Sequence, residues 1–245
     1  MKAHSKPITH SPLHRASEYK MKTIVISLGG SILVPNEINI KFLDEFKKFL
    51  KKHEKRYKFI IITGGGSIAR KYISALKDFP IKTQSMIGIA VTRLNARFLT
   101  YFLGKDTNDT IPQDMHQVKS LLTKNNIVVC GALRYAEKET SDSTSAKLAH
   151  FLKAEFINMT NVPGLFTKDP RKFKDAKLIQ KISWKKFHAI AKSLKYEAGQ
   201  HFVLDQHGAE IIKKHKIKTY IINSNIKNLE NLIQGKKFTG TVIFG

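Results

Sequence analysis

Cysteine is almost absent. Cys130 is the single one in 245 residues, so an intramolecular disulfide is excluded. It ends the apolar run Ile127-Val128-Val129-Cys130, which reads as a buried strand, and an inert core thiol in an intracellular, cytoplasmic protein is the expectation. Long hydrophobic runs are missing too. Stretches such as Phe59-Ile60-Ile61-Ile62 have strand length, against the ~20 apolar residues of a membrane helix, so no transmembrane segment and no membrane partner are expected. Acidic residues are scarce: 19 Asp plus Glu against 43 Lys plus Arg leave a net charge of +24. Such a field attracts nucleotides, nucleic acid or anionic surfaces. The lysines are spread along the chain, as at Lys47-Lys48, Lys185-Lys186 and Lys213-Lys214, where they interrupt amphipathic patterns like a solvated helix face. Zinc-finger spacing and the aromatic signature of an RNA-recognition domain are both lacking, so a nucleic-acid partner is not expected. Residues 1–20 are polar and aperiodic, without the apolar centre of a secretory signal. They read as a disordered extension or an expression remnant, with His4, His10 and His14 too irregularly set for a metal site.

From Lys22 onward, strand-like and helix-like runs alternate. Strands are expected at 23–26, 59–62, 126–130, 155–160, 217–222 and 240–244. Helical spacing marks 39–53, where Ile40, Leu43, Phe46, Phe49 and Leu50 share a face with lysines opposite. Further helices are expected from the second glycine run to about 78, and at 85–103, 114–124, 142–153, 183–194, 205–215 and 226–234. This alternation predicts an α/β protein with a largely parallel sheet and its strand-to-helix turns on one edge, where open sheets take their ligands.

Two of those turns are rich in glycine. Leu28-Gly29-Gly30-Ser31 follows the first strand, and Thr63-Gly64-Gly65-Gly66-Ser67 leads from the second into a helix. Glycines let backbone N–H groups approach an anion, and a helix N-terminus favours one. Arg70, one helical turn on, can grip a phosphate bidentately. A single such turn would be read as a tight turn without a ligand; two after two strands favour phosphate binding. Neither fits the P-loop, for no Gly-Lys-Ser/Thr follows, and neither is a dinucleotide G-x-G-x-x-G.

These turns, together with Arg70 and Thr160-Asn161-Val162-Pro163-Gly164-Leu165-Phe166-Thr167-Lys168-Asp169-Pro170, resemble the amino-acid kinase family, and within it the archaeal-type UMP kinases. Ile87-Gly88-Ile89, Thr92-Arg93-Leu94-Asn95-Ala96, Ala198-Gly199 and Asp205 agree with that branch, and the likeness runs in order from Lys22 to the C-terminus. The resemblance implies an α/β/α sandwich with an acceptor lobe at about 21–150 and an ATP lobe at about 151–245. It implies γ-phosphoryl transfer from ATP to UMP, giving UDP for pyrimidine biosynthesis, with Mg²⁺ carried on ATP. A homo-oligomer, commonly a hexamer, is implied as well. By the same likeness Gly29, Gly30 and Ser31 line the transfer path, and Gly65, Gly66 and Arg70 hold the acceptor phosphate. Thr140, Ser141, Asp142 and Ser85 face the acceptor nucleotide. Asn161, Phe166 and Asp169 contact ATP, and Asp205 lies at the nucleotide site. Read without the resemblance, Ser141 or Asp142 is a helix N-cap, Asp205 another, and Phe166 a packing residue.

Four places depart from the family pattern. Ser27 stands where a lysine is common, two positions before the first glycine. Ser85 replaces an aspartate that reads the acceptor ribose, Ala136-Glu137-Lys138-Glu139 replaces a Pro-Gly turn, and Pro163 replaces an aspartate. Besides UMP kinase, two readings therefore stay open: another small-molecule kinase of the same fold, and a degenerate nucleotide-binding protein. Ile68-Ala69-Arg70, without the histidine of isopentenyl phosphate kinases, speaks against that particular kinase.

Overall fold

A computed structural model describes residues 21–136, 139–170, 172–193 and 204–245. Residues 1–20, Glu137 and the Ala198-Gly199 pair, all interpreted above, lie outside the described residues. The first strand, β1 (Lys22–Leu28), carries five consecutive buried residues after its first two, so both of its faces are covered. Its neighbours are β2 (Tyr57–Thr63) and β4 (Glu155–Met159), both parallel to it. Outside these lie β3 (Ile127–Cys130), parallel to β2, and β6 (Thr219–Ile222), parallel to β4. The last strand, β7 (Thr241–Ile243), runs antiparallel to β6 and pairs with the two-residue β5 (Lys181–Ile182). The sheet order is β3-β2-β1-β4-β6-β7-β5. The alternating pattern had pointed to every strand but β5, too short to leave a periodic signal.

Helices cover both faces. On one, Ile24, Ile26, Leu28, Phe59 and Ile61 pack against α2 (Ile40–His53), α4 (Ile81–Leu103) and α9 (Ile226–Ile233). On the other, Val25, Ile60, Ile62 and Cys130 meet α5 (Met115–Leu121), α6 (Ser141–Leu152), α7 (Trp184–Ser193) and α8 (Gln206–His215). The result is the three-layer α/β/α sandwich expected. Local chemistry fixes several helix starts: the Asn39, Asp114 and Asn225 side chains accept from backbone N–H groups of the first turns of α2, α5 and α9. Between the glycine turns and these helices lie two pieces, α1 (Gly30–Leu33) and α3 (Gly66–Ala75). The four-residue α1 went unforeseen, being a single turn without period. Cys130 is fully buried and its thiol is pushed up to about 12, in keeping with an inert core residue.

A polar contact joins α2 to α9. Glu230 receives Lys52 Nζ at 2.6 Å, Lys227 Nζ at 3.3 Å and His53 Nε2 at 3.3 Å, and His53 is 5% exposed. The Lys52 hydrogen bond, helped by Lys227 and His53, lowers the Glu230 carboxyl to about 2 from an ordinary 4.5. A depressed carboxylate contributes stability above its unfolded pKa and loses it as pH falls toward its folded one. In urea titrations, Glu230→Gln is therefore expected to be less stable than the parent at pH 7. The gap should close as pH drops from about 4.5 to about 2.

Candidate active site

The strand order reverses direction of growth between β1 and β4: β2 and β3 lie to one side, β6 to the other. At such a switch point the chain leaves adjacent strands on opposite faces and opens a crevice at their C-terminal ends. The two glycine turns lie there, pressed backbone to backbone. A Cβ on Gly30 would lie 2.0 Å from the Gly66 nitrogen, and one on Gly64 would lie 2.5 Å from the Gly30 nitrogen. Gly66 also holds φ +67, where an L side chain is strained. Gly64 N–H donates to the Leu28 carbonyl at 3.0 Å, and Gly29 N–H to the Met159 carbonyl at 3.2 Å, tying both turns to β1 and β4. Side chains give way to main chain here, leaving backbone N–H groups as the available recognition surface. Ser31, in α1, is half-buried beside them.

The helix α4 braces this arrangement with three polar side chains. Asn95 Nδ2 donates to the Gly64 carbonyl at 2.8 Å; Thr63 Oγ1 donates to the Thr92 carbonyl at 2.8 Å. The Thr92 hydroxyl accepts from Ala132 N–H at 2.9 Å, while the Arg93 guanidinium bonds the Ala132 and Leu133 carbonyls. Thr92, Arg93 and Asn95 contributed only to the resemblance, yet these residues position the second glycine turn and the exit of β3. Their signal in the sequence is polar residues at buried positions of an otherwise apolar helical run.

Across the crevice, two helices present their N-termini. Thr140 is the N-cap of α6, its hydroxyl accepting from Asp142 N–H at 3.1 Å and Ser143 N–H at 3.4 Å. The cap is thus Thr140, rather than Ser141 or Asp142, because only its extended backbone turns the hydroxyl onto the first-turn amides. Asp205 caps α8 as expected, accepting from Gly208 N–H at 2.7 Å, and its Oδ2 accepts a hydrogen bond from the Thr140 hydroxyl at 2.5 Å. Asp142 receives a hydrogen bond from Ser27 Oγ at 2.9 Å. Ser27, on β1 and fully buried, thus fills the departed lysine's position with a neutral donor. Burial, and then the charge of Asp205, push the Asp142 carboxyl up to about 7, with Ser27 opposing. In a chain of +24 charge, this point at the strand edge holds two carboxylates.

Arg70 is exposed on α3, and its guanidinium makes no ion pair or hydrogen bond among the described residues. Ser85 is half-buried on α4. In the segment before α6, Glu139 pairs with Lys147 of α6. On the β4 side, Thr160 N–H donates to the Ile222 carbonyl at 2.9 Å, and Asn161 is exposed beyond it. The excursion then returns over β7. Leu165 N–H donates to Thr241 Oγ1 at 2.8 Å, and half-buried Phe166 forms a bridge with Leu178. The Asp169 carbonyl accepts from Lys172 and Phe173 N–H at 3.1 and 3.0 Å.

Asp142 titrates in the folded chain near 7 instead of an ordinary 3.8, so ionising it opposes folding above the unfolded value. Asp142→Asn keeps an oxygen for Ser27 and removes that charge. Its melting temperature should exceed the parent's by several degrees at pH 8, with the difference vanishing below about pH 4.

Sequence and structure comparisons bear on the fold and family of the chain. The profile described as "Amino acid kinase family" matches residues 22–223. A uridylate kinase of Thermococcus kodakarensis is 34% identical over 224 residues, covering 90% of this chain and 98% of that one. A uridylate kinase of Methanococcus maripaludis is likewise 34% identical with the same coverage. The crystal structure of uridylate kinase from Archaeoglobus fulgidus superposes with a TM-score of 0.79 at 34% identity, covering 91% of this chain and all of that one. These likenesses run over nearly the whole of both chains, and the chain belongs to the amino acid kinase family.

Proposed function

We propose that the protein is a UMP kinase, moving the γ-phosphoryl group of ATP to UMP and releasing UDP and ADP. The observation that carries this reading is the full-length likeness to uridylate kinases at about one-third identity, with both glycine turns intact. In this reading an acceptor lobe, about 21–150, holds UMP, and an ATP lobe, about 151–245, holds the donor. Gly65 and Gly66 backbone amides and the unpaired Arg70 guanidinium grip the UMP phosphate. A UMP phosphate oxygen attacks the γ-phosphorus in line as the bond to the β-phosphate oxygen breaks. Gly29, Gly30 and Ser31 line that path, and no protein nucleophile intervenes. Positioning and charge stabilisation supply the catalysis. Ser85 and Thr140-Ser141-Asp142 face the acceptor nucleoside; Asn161, Phe166 and Asp169 face ATP.

Mg²⁺ supplies charge neutralisation at the ATP phosphates when bound. Among the described residues there is no group of three or more metal-ligating side chains. The Asp142 and Asp205 carboxylates, which receive the neutral Ser27 and Thr140 hydroxyls, suit an ion held by one or two carboxylates plus substrate phosphates.

Oligomer formation is supported by α4. Met86, Leu94 and Tyr101 lie on one stripe of the helix and are 48%, 60% and 74% exposed. We assign this stripe to a contact between copies, within a hexamer of the kind the family resemblance implies. Leu94→Asp is expected to lower the mass measured by light scattering while leaving the circular dichroism unchanged; an unchanged mass would remove α4 from the interface.

Phosphoryl transfer from Mg-ATP should be assayed against UMP, CMP, dUMP, AMP and isopentenyl phosphate. UDP formation from UMP is expected to dominate. Arg70→Ala should lower kcat/KM for UMP roughly 10- to 100-fold, the value of a charged hydrogen bond to phosphate. A folded chain that binds ATP and phosphorylates none of these acceptors would leave a nucleotide-binding protein without kinase activity.

A further inference from the structure

The helices α6 and α8 lie side by side with Thr140 and Asp205 at their N-termini. Their opposite ends, some 15–18 Å away by helix rise, frame a second cleft of about 810 Å³. Met115, Phe151 and Ile217 give it an apolar wall. Cations dominate the rest. Lys153 and Lys216, in the left-handed C-cap positions of the two helices, and Lys214 have no ion-pair partner among the described residues. The rings of His150 and His215 stack with centroids 3.7 Å apart, one from each helix end. The lining holds one carboxylate, Glu210, whose neighbour is His207 at 3.9 Å. Two further lysines are neutralised locally, Lys147 by Glu139 and Lys218 by Glu155.

Part of this charge has an ordinary purpose. A cation at a helix C-terminus offsets the roughly half negative charge of the exposed carbonyls. Two helix ends amount to about one such charge, and three unpaired lysines plus a stacked histidine pair exceed it. The excess is also concave and walled by apolar side chains, in the size range of small-ligand sites rather than of a groove that tracks a polynucleotide. Burial first, then the charges of His150 and Lys214, hold His215 below its ordinary value. An anion placed against the pair would reverse the two charge effects and favour the imidazolium.

We propose that this cleft is a second anion site, separate from the glycine-turn crevice, that takes a phosphate chain: free polyphosphate, or the phosphates of a nucleoside di- or triphosphate. Lysines act there as point charges on the phosphates, and the histidine pair gains a proton on binding. The proposal does not depend on which acceptor the kinase site uses.

The test follows the ring C–H resonances of His150 and His215 in the full chain by NMR, with the peaks identified through His150→Gln. Tripolyphosphate and a non-hydrolysable ATP analogue are titrated separately. The apparent pKa of His215 should move upward by about one pH unit, and binding should be roughly two- to fivefold tighter at pH 6 than at pH 8. Lys214→Glu combined with Lys216→Glu should abolish the shift. Lys185→Glu combined with Lys186→Glu changes the net charge equally on exposed positions of α7 and should preserve it. A shift with tripolyphosphate identifies the phosphate chain as sufficient; a shift with the nucleotide alone identifies the nucleotide as its source. Unmoved histidines with both ligands, or equal loss in the two double variants, would overturn the proposal.

Discussion

The contact between the two glycine turns sets the terms for everything around it. Gly30 approaches Gly64 and Gly66 so closely that a single methyl group would collide with main chain. This brings the exits of β1 and β2 together and gives up side chains at the centre of the crevice in return for backbone amides. Such a surface recognises phosphate by geometry and partial charge. It demands rigid support, since bare loops held by few contacts would sample many conformations. The support comes from α4, whose Thr92, Arg93 and Asn95 hold the second turn and the β3 exit through carbonyls.

Electrostatics at the crevice differ from those of the molecule as a whole. A net charge of +24 draws nucleotides toward the protein, while Asp142 and Asp205 give the strand edge an acidic point. Ser27 is central to this. A lysine in its place would neutralise Asp142; a buried serine donates one hydrogen bond at 2.9 Å and leaves the carboxyl near 7. In the proposed kinase reading, that acidic point is left for a cation that arrives with the donor nucleotide. The same two helices end in the opposite charge, with Lys153, Lys214 and Lys216 around the His150–His215 stack. Both poles rest on one helix pair, whose axes carry the matching dipoles: an acidic residue at each N-terminus, Asp142 in the first turn of α6 and Asp205 capping α8, and basic residues at the C-termini.

Much of this architecture was legible along the chain. Runs such as Phe59 to Ile62 are apolar on both faces, which only a strand covered by helices on each side allows. Helix α2 shows its buried stripe, Leu43, Phe46 and Leu50, at helical spacing with lysines outside. Where local pattern failed, tertiary contact had decided. The two residues of β5 are a strand only because β7 lies beside them, and α1 is one turn set by the glycine packing.

The candidate site divides in the same way. The amino-acid sequence by itself determined that two glycine turns follow two strands, that Arg70 lies one helical turn beyond the second, and that Asp205 opens a helix. Each of these is a matter of residue type and spacing over a few positions, which local sterics and hydrogen bonding govern. Only the tertiary structure decided that Ser27 meets Asp142 across 115 positions, that Thr140 joins Asp205 across 65, and that His150 stacks on His215. Those pairings depend on which helices the parallel crossovers lay side by side, and no periodicity within one segment encodes its distance to another.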